Sequence, residues 1–227
     1  MVKQERAART REALVRAAAR EFERTGYEGT SLGRVARTAG ISVGALTFHF
    51  ASKAGLALAV RTRGDAAVRA CAAQAGRSTA PPLDTVVGLT LALARLLEED
   101  EVVRAAVRLW RELPEGDGSW SALWRPTVTE TLARADRGGL GPAVGAGDVV
   151  LLAEYLLAGA ESRLSGRPHG PRDESEDEGA ERDEGVERDE GVERDGGVEG
   201  DGGVERHLSR LWALALPGLC GGPVNRP

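Results

Sequence analysis

The sequence predicts an all-α fold, and three observations lead to that prediction. Ala, Leu, Arg and Glu, which favour helix, dominate the composition. Apolar residues recur at helical spacing in most segments. No stretch alternates apolar and polar residues between turn residues, as a half-buried strand does. We therefore expect three helices over residues 1–52, a larger helical domain over residues 53–165 and a last helix over residues 204–217.

The first predicted helix covers residues 4–25. Leu14, Ala17 and Phe22 belong to an apolar stripe on this helix, with Arg and Glu on the opposite side. Gly26 follows it and can end a helix because glycine adopts positive φ without strain.

Residues 31–50 read as two short helices joined by a tight turn. Ser31 can cap the first helix, and Ser42 can cap the second, which runs to about His49. Gly40 lies where the chain must turn. Two helices joined in this way form the helix-turn-helix pattern, whose second helix enters the major groove of double-stranded DNA.

Five further helices are predicted before residue 165. The first begins after Ser52 and ends near residue 75, and the next two cover residues 83–98 and 102–113. The fourth starts at about Trp120, where Pro126 indicates a kink or a later true start. The fifth covers residues 149–164 and can be capped by Asp148.

Charge is segregated along the chain, so the net charge of −5 is a poor guide to its partners. Residues 1–64 hold 12 Lys or Arg and 5 Asp or Glu, whereas residues 172–206 hold 5 Arg and 16 Asp or Glu. Hexapeptides such as GVERDE repeat from Gly179 onward. One valine among so many charges cannot build a core, which excludes a β-helix and predicts a disordered acidic insertion over residues 166–203. A role for its carboxylates in Ca²⁺ binding is the alternative. Residues 218–227 are a tail.

No enzyme signature is present. The chain has no GxSxG motif, no P-loop and no metal-binding spacing among its three His and two Cys. We expect no catalytic residues, no metal and no cofactor. The two cysteines suit a reducing cytoplasm, and no apolar leader or run of 18 apolar residues points to secretion or a membrane.

A dense set of residues from Arg6 to about Val60 carries a family resemblance. They are Thr25-Gly26-Tyr27, Gly29-Thr30-Ser31-Leu32, Val35-Ala36, Ala39-Gly40-Ile41-Ser42, Gly44-Ala45-Leu46, Phe48-His49-Phe50 and Ser52-Lys53. They resemble the TetR family of transcriptional repressors. The resemblance implies a homodimer on an inverted-repeat operator, with the helices over residues 149–164 and 204–216 forming a four-helix bundle with those of a partner. Thr47 stands where the family usually has a tyrosine.

A narrower resemblance involves FHFASK, the segment EEDEVVRAAVRLWREL, and Trp124 upstream of residues 135–140. These are similar to the γ-butyrolactone receptor branch, which implies a ligand-binding and dimerisation role for residues 53–165. The small-molecule ligand is then a lactone or, in pseudo-receptors, an antibiotic. Val43 stands where that branch often has a basic residue. A true receptor, a pseudo-receptor, a generic efflux-type regulator and a DNA-binding dimer without a ligand remain alternatives, with a slight preference against the true receptor.

Candidate DNA-contacting residues lie in and around the two motif helices. Hydroxyls, helix N-termini and arginines suit phosphates, while small or apolar residues of the second helix suit base edges and thymine methyls. The resemblance places Lys53 on the DNA backbone. The candidates are Thr30, Ser31, Arg34, Arg37, Ser42, Val43, Gly44, Ala45, Thr47, His49 and Lys53. We expect Leu46, Phe48 and Phe50 to be core residues.

Three aromatic residues of the later helices are candidate ligand contacts. Trp124 is the strongest, because the resemblance puts a pocket-lining Trp near it and an indole N–H can donate to a carbonyl. Trp110 and Tyr155 are the others, and an ordinary core position is the alternative for both Trp110 and Trp124.

Overall fold

The structure is a computed structural model that describes residues 2–113, 119–134, 140–142, 144–165 and 203–220. Helix α1 spans Val2–Gly29, α2 spans Leu32–Thr38 and α3 spans Val43–His49. The range of α1 contains a non-helical break at Gly26, whose φ is 73° and ψ 179°, so the long first helix stops there, as predicted, and a further short helical stretch continues to Gly29. The turn between α2 and α3 uses Gly40 with φ of 67°, as predicted.

The predicted serine caps are confirmed. Ser31 Oγ accepts a hydrogen bond from the Arg34 N–H at 3.2 Å, and Ser42 Oγ accepts one from the Ala45 N–H at 3.2 Å. Each cap satisfies one of the N–H groups that the start of a helix leaves without an intrahelical partner.

The later elements are α4 (Lys53–Gly76), α5 (Pro82–Glu99), α6 (Glu101–Glu112), a 3-10 helix (Trp120–Leu123), α7 (Arg125–Ala133), α8 (Ala146–Ser165) and α9 (Val204–Leu219). Within the described ranges, every regular element is helical, as predicted. Pro126 lies in the first turn of α7, where a missing N–H costs nothing, so the later true start is confirmed.

Asp148 is not the cap residue of α8, because the helix begins at Ala146. Its carboxylate instead reaches back and accepts a hydrogen bond from the Gly145 N–H at 2.8 Å. This is one of the two hydrogen bonds of a capping box, in which the side chain of the third helical residue accepts from the backbone N–H of the N-cap residue.

Two hydrophobic cores are present. The first lies between α1, α2, α3 and the start of α4, and includes Phe22, Val35 and Leu46. The second lies between the remaining helices and includes Leu93, Trp124 and Trp212. The first turns of α4 belong to the first core, although the sequence-based boundary falls before residue 53.

Helix α6 joins the two cores. Its residues Ala105 and Leu109 lie in the first core, whereas Val103 and Val107 lie in the second. Helix α6 also crosses α4 closely at Gly64, where an added Cβ would collide with the Ala106 Cβ. A displacement of α6 therefore acts on both cores.

Helix α9 is attached to α5 where the chain returns from the acidic segment. Glu98 accepts hydrogen bonds from the N–H groups of Val204 and, at 3.3 Å, Glu205. Arg95 donates to both carboxylate oxygens of Glu205, at 2.6 and 3.0 Å. The predicted disordered insertion lies outside the described residues except for Gly203, as do residues 221–227 of the tail.

Across the ranges given above, no helix taken singly has the length and apolarity needed to cross a membrane; α3 and α4 reach that threshold only as a pair bent by 60°.

Candidate DNA interface and ligand site

The outer face of α3 is built from small and apolar residues. Val43, Gly44, Ala45 and Thr47 are exposed there, while Leu46 is fully buried and holds the helix on the first core. The Thr47 hydroxyl donates to the Gly44 carbonyl at 3.0 Å. The backbone of α3 can therefore come close to a binding partner, and the partner would meet methyl groups rather than long polar side chains on this face.

Phe48 also belongs to this face. The prediction that it is a core residue is wrong, because its side chain is 86% exposed. Leu46 and Phe50 are four residues apart and both point inward, so Phe48, midway between them, points outward. The ring meets His49, which is half-buried, edge-on at a centroid distance of 5.4 Å.

The predicted phosphate contacts divide into accessible and inaccessible residues. Ser31, Arg34, Arg37 and Ser42 are exposed, and one Arg34 N–H donates to the Gly29 carbonyl at 3.3 Å. Thr30 is only 3% exposed and its hydroxyl donates to the Gly26 carbonyl at 2.7 Å. Burial therefore removes Thr30 from the set that can reach a phosphate and gives it the structural role.

Lys53 is engaged inside the protein. Its ammonium group donates to the Tyr27 carbonyl at 2.9 Å and lies 4.2 Å from the centre of the Tyr27 ring. The side chain retains 26% exposure. Lys53 thus holds the end of α1 against the start of α4, a contact that spacing in the sequence does not reveal.

Glu21 positions α2 on α1. Its carboxylate accepts hydrogen bonds from Thr38 Oγ1 at 2.7 Å and from Arg24 at 2.9 Å. Burial acts to raise the pKa of Glu21, but these two partners outweigh it and lower the pKa below its ordinary value of 4.5. The carboxylate therefore remains ionised and keeps the motif helix oriented.

Trp124 lies deep in the second core. It is 1% exposed, and its ring centroid is 6.0 Å from that of Trp120. The buried indole N–H of Trp124 has no hydrogen-bond partner among the described residues. A buried donor without a partner costs about 1–3 kcal/mol, so this group is suited to donate to a bound acceptor.

The neighbouring Trp120 connects this pair to α8. Its indole N–H donates to Glu161 at 3.2 Å, and Arg111 of α6 forms an ion pair with the same carboxylate at 3.0 Å. Burial raises the pKa of Glu161 above 4.5, although Arg111 and Trp120 oppose the change. The contacts of Glu161 thus link the tryptophan pair to α6.

A cleft of about 280 Å³ lies where α1, α5, α6 and α8 meet. Leu97, Val107 and Leu164 supply its apolar wall, and charged side chains and Ser165 supply the remainder. Glu161 is shared between this cleft and the tryptophan pair. In the described parts of the chain, no group of three or more His, Cys, Asp and Glu could hold a metal ion.

The other two aromatic candidates, Trp110 and Tyr155, do not place a free hydrogen-bond donor beside the Trp120–Trp124 pair. Trp110 stacks under the Arg61 guanidinium at 4.1 Å and donates its N–H to Asp65 at 2.9 Å, so its polar group is already used. Tyr155 is 68% exposed. Ala153 and Leu157 are buried on α8, and Tyr155, two residues from each, lies on the opposite face. Leu151 of α8 and Leu214 of α9 are also exposed.

Residues 14–60 match the family described as bacterial regulatory proteins, tetR family. The A-factor receptor protein of Streptomyces griseus is 34% identical over 109 residues. That match spans 48% of this chain and 37% of the receptor.

Solved structures match over a larger part of the chain. A γ-butyrolactone receptor described as ArpA-like is 32% identical, covers 70% of this chain and 80% of its own, and has a TM-score of 0.58. The TetR family protein CprB from S. coelicolor A3(2) is 26% identical, with 96% and 92% coverage and a TM-score of 0.65. Its complex with its operator sequence matches at 30% identity, with 70% and 84% coverage and a TM-score of 0.59.

Proposed function

This chain belongs to the TetR family of bacterial regulatory proteins and resembles its γ-butyrolactone receptor branch, and from that premise we propose that it is a ligand-released transcriptional repressor. In this proposal a homodimer binds an inverted-repeat operator, and a small molecule releases it. The ligand is a γ-butyrolactone-type autoregulator or an antibiotic or its intermediate, and the regulated genes belong to secondary metabolism.

The DNA-binding part of the proposal is supported by the face of α3 and the charge around it. The first 64 residues carry a net charge of +7, which suits a phosphate backbone. Ser31, Arg34 and Arg37 are exposed beside the reading helix and take the phosphate role. Val43, Ala45 and Phe48 supply apolar contact with thymine methyls.

The ligand-binding part is carried by one observation, the buried Trp124 N–H without a partner in the described part of the chain. A ligand carbonyl that accepts this hydrogen bond removes the cost of the unsatisfied donor, while the indole ring packs the apolar part of the ligand. A regulator without a small-molecule ligand gains nothing from such a donor.

The coupling path runs from Trp124 through Trp120 and Glu161 to α6. Ion pairs and hydrogen bonds join α6 to α1. They include Glu101 with Arg20 at 2.9 Å, Arg104 with the Glu23 carboxylate, Arg108 with the Glu23 carbonyl at 2.6 Å, and Glu112 with the Tyr27 N–H at 2.5 Å. A ligand that binds better to another position of α6 therefore shifts the population away from the arrangement of α2 and α3 that binds DNA.

The test is a mobility-shift titration of the protein on its own upstream region, with a panel of γ-butyrolactones and antibiotics. At least one compound is expected to release the wild-type protein. Trp124→Phe should keep the DNA affinity and need at least about tenfold more of that compound for release. Loss of a hydrogen bond worth about 1.4 kcal/mol raises the Kd for the ligand tenfold.

Trp212→Phe is the matched control. Trp212 is equally buried, but its N–H already donates to Thr90 Oγ1 at 2.8 Å, so this variant should respond like the wild type. Release of Trp124→Phe at wild-type concentrations would contradict the ligand assignment. A repressor that no compound releases would favour the ligand-free dimer, whereas release by unrelated substrates alone would favour a regulator of efflux or catabolic genes.

A further inference from the structure

The first turns of α1 extend beyond both hydrophobic cores. The helix begins at Val2, and from Glu5 onward its first buried side chain is Leu14. At 1.5 Å per residue, residues 5–13 form roughly 14 Å of helix that contributes no side chain to either core. The contacts available to this segment are therefore set by its exposed side chains.

These turns are basic and the charge is not neutralised locally. Residues 3–11 contain Lys3, Arg6, Arg9 and Arg11 against the single acid Glu5. Arg6 and Arg9 are exposed and have no hydrogen bond or ion pair from their side chains to any described residue. The next arginines of the same helix are all paired with carboxylates: Arg16, Arg20 and Arg24.

Two contacts orient this end of α1 relative to the reading helix. The Arg11 guanidinium lies 4.5 Å from the centre of the Phe50 ring, and Phe50 is the C-terminal cap residue that directly follows α3. Glu12 accepts a hydrogen bond from Arg63 of α4 at 2.6 Å. Arg11 therefore places the first turns of α1 beside the carboxyl end of α3, and Arg9 and Arg6 lie further toward the N-terminus of the same helix.

We propose that the first turns of α1 form a second DNA contact, in which Arg6 and Arg9 bind backbone phosphates outside the base pairs that α3 reads. The inference rests on the proposed DNA-binding function and extends its footprint. Phosphate contacts carry no sequence information, so the contact adds affinity and salt dependence without changing operator preference.

The experiment compares Arg6→Gln/Arg9→Gln with the wild-type protein by fluorescence anisotropy over a series of salt concentrations. Glutamine keeps a high helix propensity, and circular dichroism checks that helix content is unchanged. Two duplexes are used, one trimmed to the base pairs under the motif helices and one with flanks of a further half turn. Arg69→Gln/Arg77→Gln is the matched control, because it removes the same charge from exposed positions at the far end of α4.

On the flanked duplex, the slope of log K against log salt should become shallower by about 0.9 for each phosphate that the variant no longer neutralises, or roughly 3.6 for four arginines of a dimer. On the trimmed duplex the double variant and the wild type should bind alike. The control should match the wild type on both. A slope equal to that of the wild type on the flanked duplex would overturn the second DNA contact. Failure of the wild type to bind any duplex would instead overturn the proposed function itself.

Discussion

Lys53 has contacts inside the protein and is also proposed to contact the DNA backbone. Its ammonium group contacts the Tyr27 carbonyl and ring, yet a quarter of the side chain remains exposed at the start of α4. Three ammonium protons allow one hydrogen bond to the protein and another to a phosphate. The family resemblance suggests the second role, and the structure adds the first.

Lys53→Ala is expected to weaken binding to all operators alike and to make the salt slope shallower by about 1. It should also lower the free energy of unfolding by about 1 kcal/mol, because the substitution removes the hydrogen bond to Tyr27 and the cation–π interaction with its ring. Urea denaturation and salt-dependent anisotropy measure the two effects separately. Lys53→Arg keeps the charge and serves as the control. A lower stability with an unchanged slope would leave Lys53 with the structural role only.

Two buried indoles illustrate how the surroundings of one residue decide its use. Trp212 and Trp124 are both 1% exposed, but of the two only Trp212 has a partner for its N–H among the described residues, the Thr90 hydroxyl. The same residue type therefore serves packing at one site and is available for recognition at the other.

At the scale of elements, the crossing of α4 and α6 controls how the two cores are joined. Gly64 allows the helices to approach so closely that the backbone carbonyl of Val102 would lie 3.2 Å from an added Cβ. On the same face of α4, Arg61 and Asp65 enclose the Trp110 ring of α6. The close approach at Gly64 and the contacts of Arg61 and Asp65 with Trp110 together set how α6 packs on α4 in this structure.

Gly64→Ala is expected to lower the free energy of unfolding by about 1–3 kcal/mol through overpacking, despite the better helix propensity of alanine. Gly88→Ala is the matched control, because Gly88 is inside α5 and has no atom within 4 Å of an added Cβ. That control should be neutral or stabilising by up to about 1 kcal/mol. Thermal and urea denaturation of both variants provide the measurement. Equal effects of the two substitutions would show that the α4–α6 crossing can relax.

At the scale of the whole molecule, α8 and α9 present an apolar surface that the described part of the chain leaves uncovered. Leu151 and Tyr155 lie one turn apart on α8, and Leu214 on α9 is 79% exposed. Exposed apolar side chains that cluster on two neighbouring helices indicate a protein contact. The proposed homodimer provides that cover and places two motifs on one operator.

Tyr155→Glu/Leu214→Glu is therefore expected to convert the dimer to a monomer in sedimentation experiments, because two charges per protomer would be buried without partners. Operator affinity should fall with it, since one motif alone makes half the contacts. Leu58→Glu changes an exposed leucine on α4, outside α8 and α9, and should remain dimeric. If the double variant sediments like the wild type, the dimer interface lies elsewhere.

Much of the local structure of this protein can be predicted from its sequence, because the determining interactions span only a few residues. Ser31 and Ser42 cap the helices that follow them, and Gly40 makes the turn between those helices. The TetR family and the all-α fold follow from the same local features. Phe48 shows that even a local pattern is misread when the helical phase of its neighbours is ignored.

Contacts between distant parts of the chain required the tertiary structure. Trp120 meets Glu161 across 41 residues, and Trp110 meets Asp65 across 45. The availability of the Trp124 N–H depends on every group packed around it, and so does the exposure of Tyr155 on α8. Periodicity and capping report which residues form a helix. Which helix faces meet, and which polar groups find partners there, is decided by packing of the whole fold.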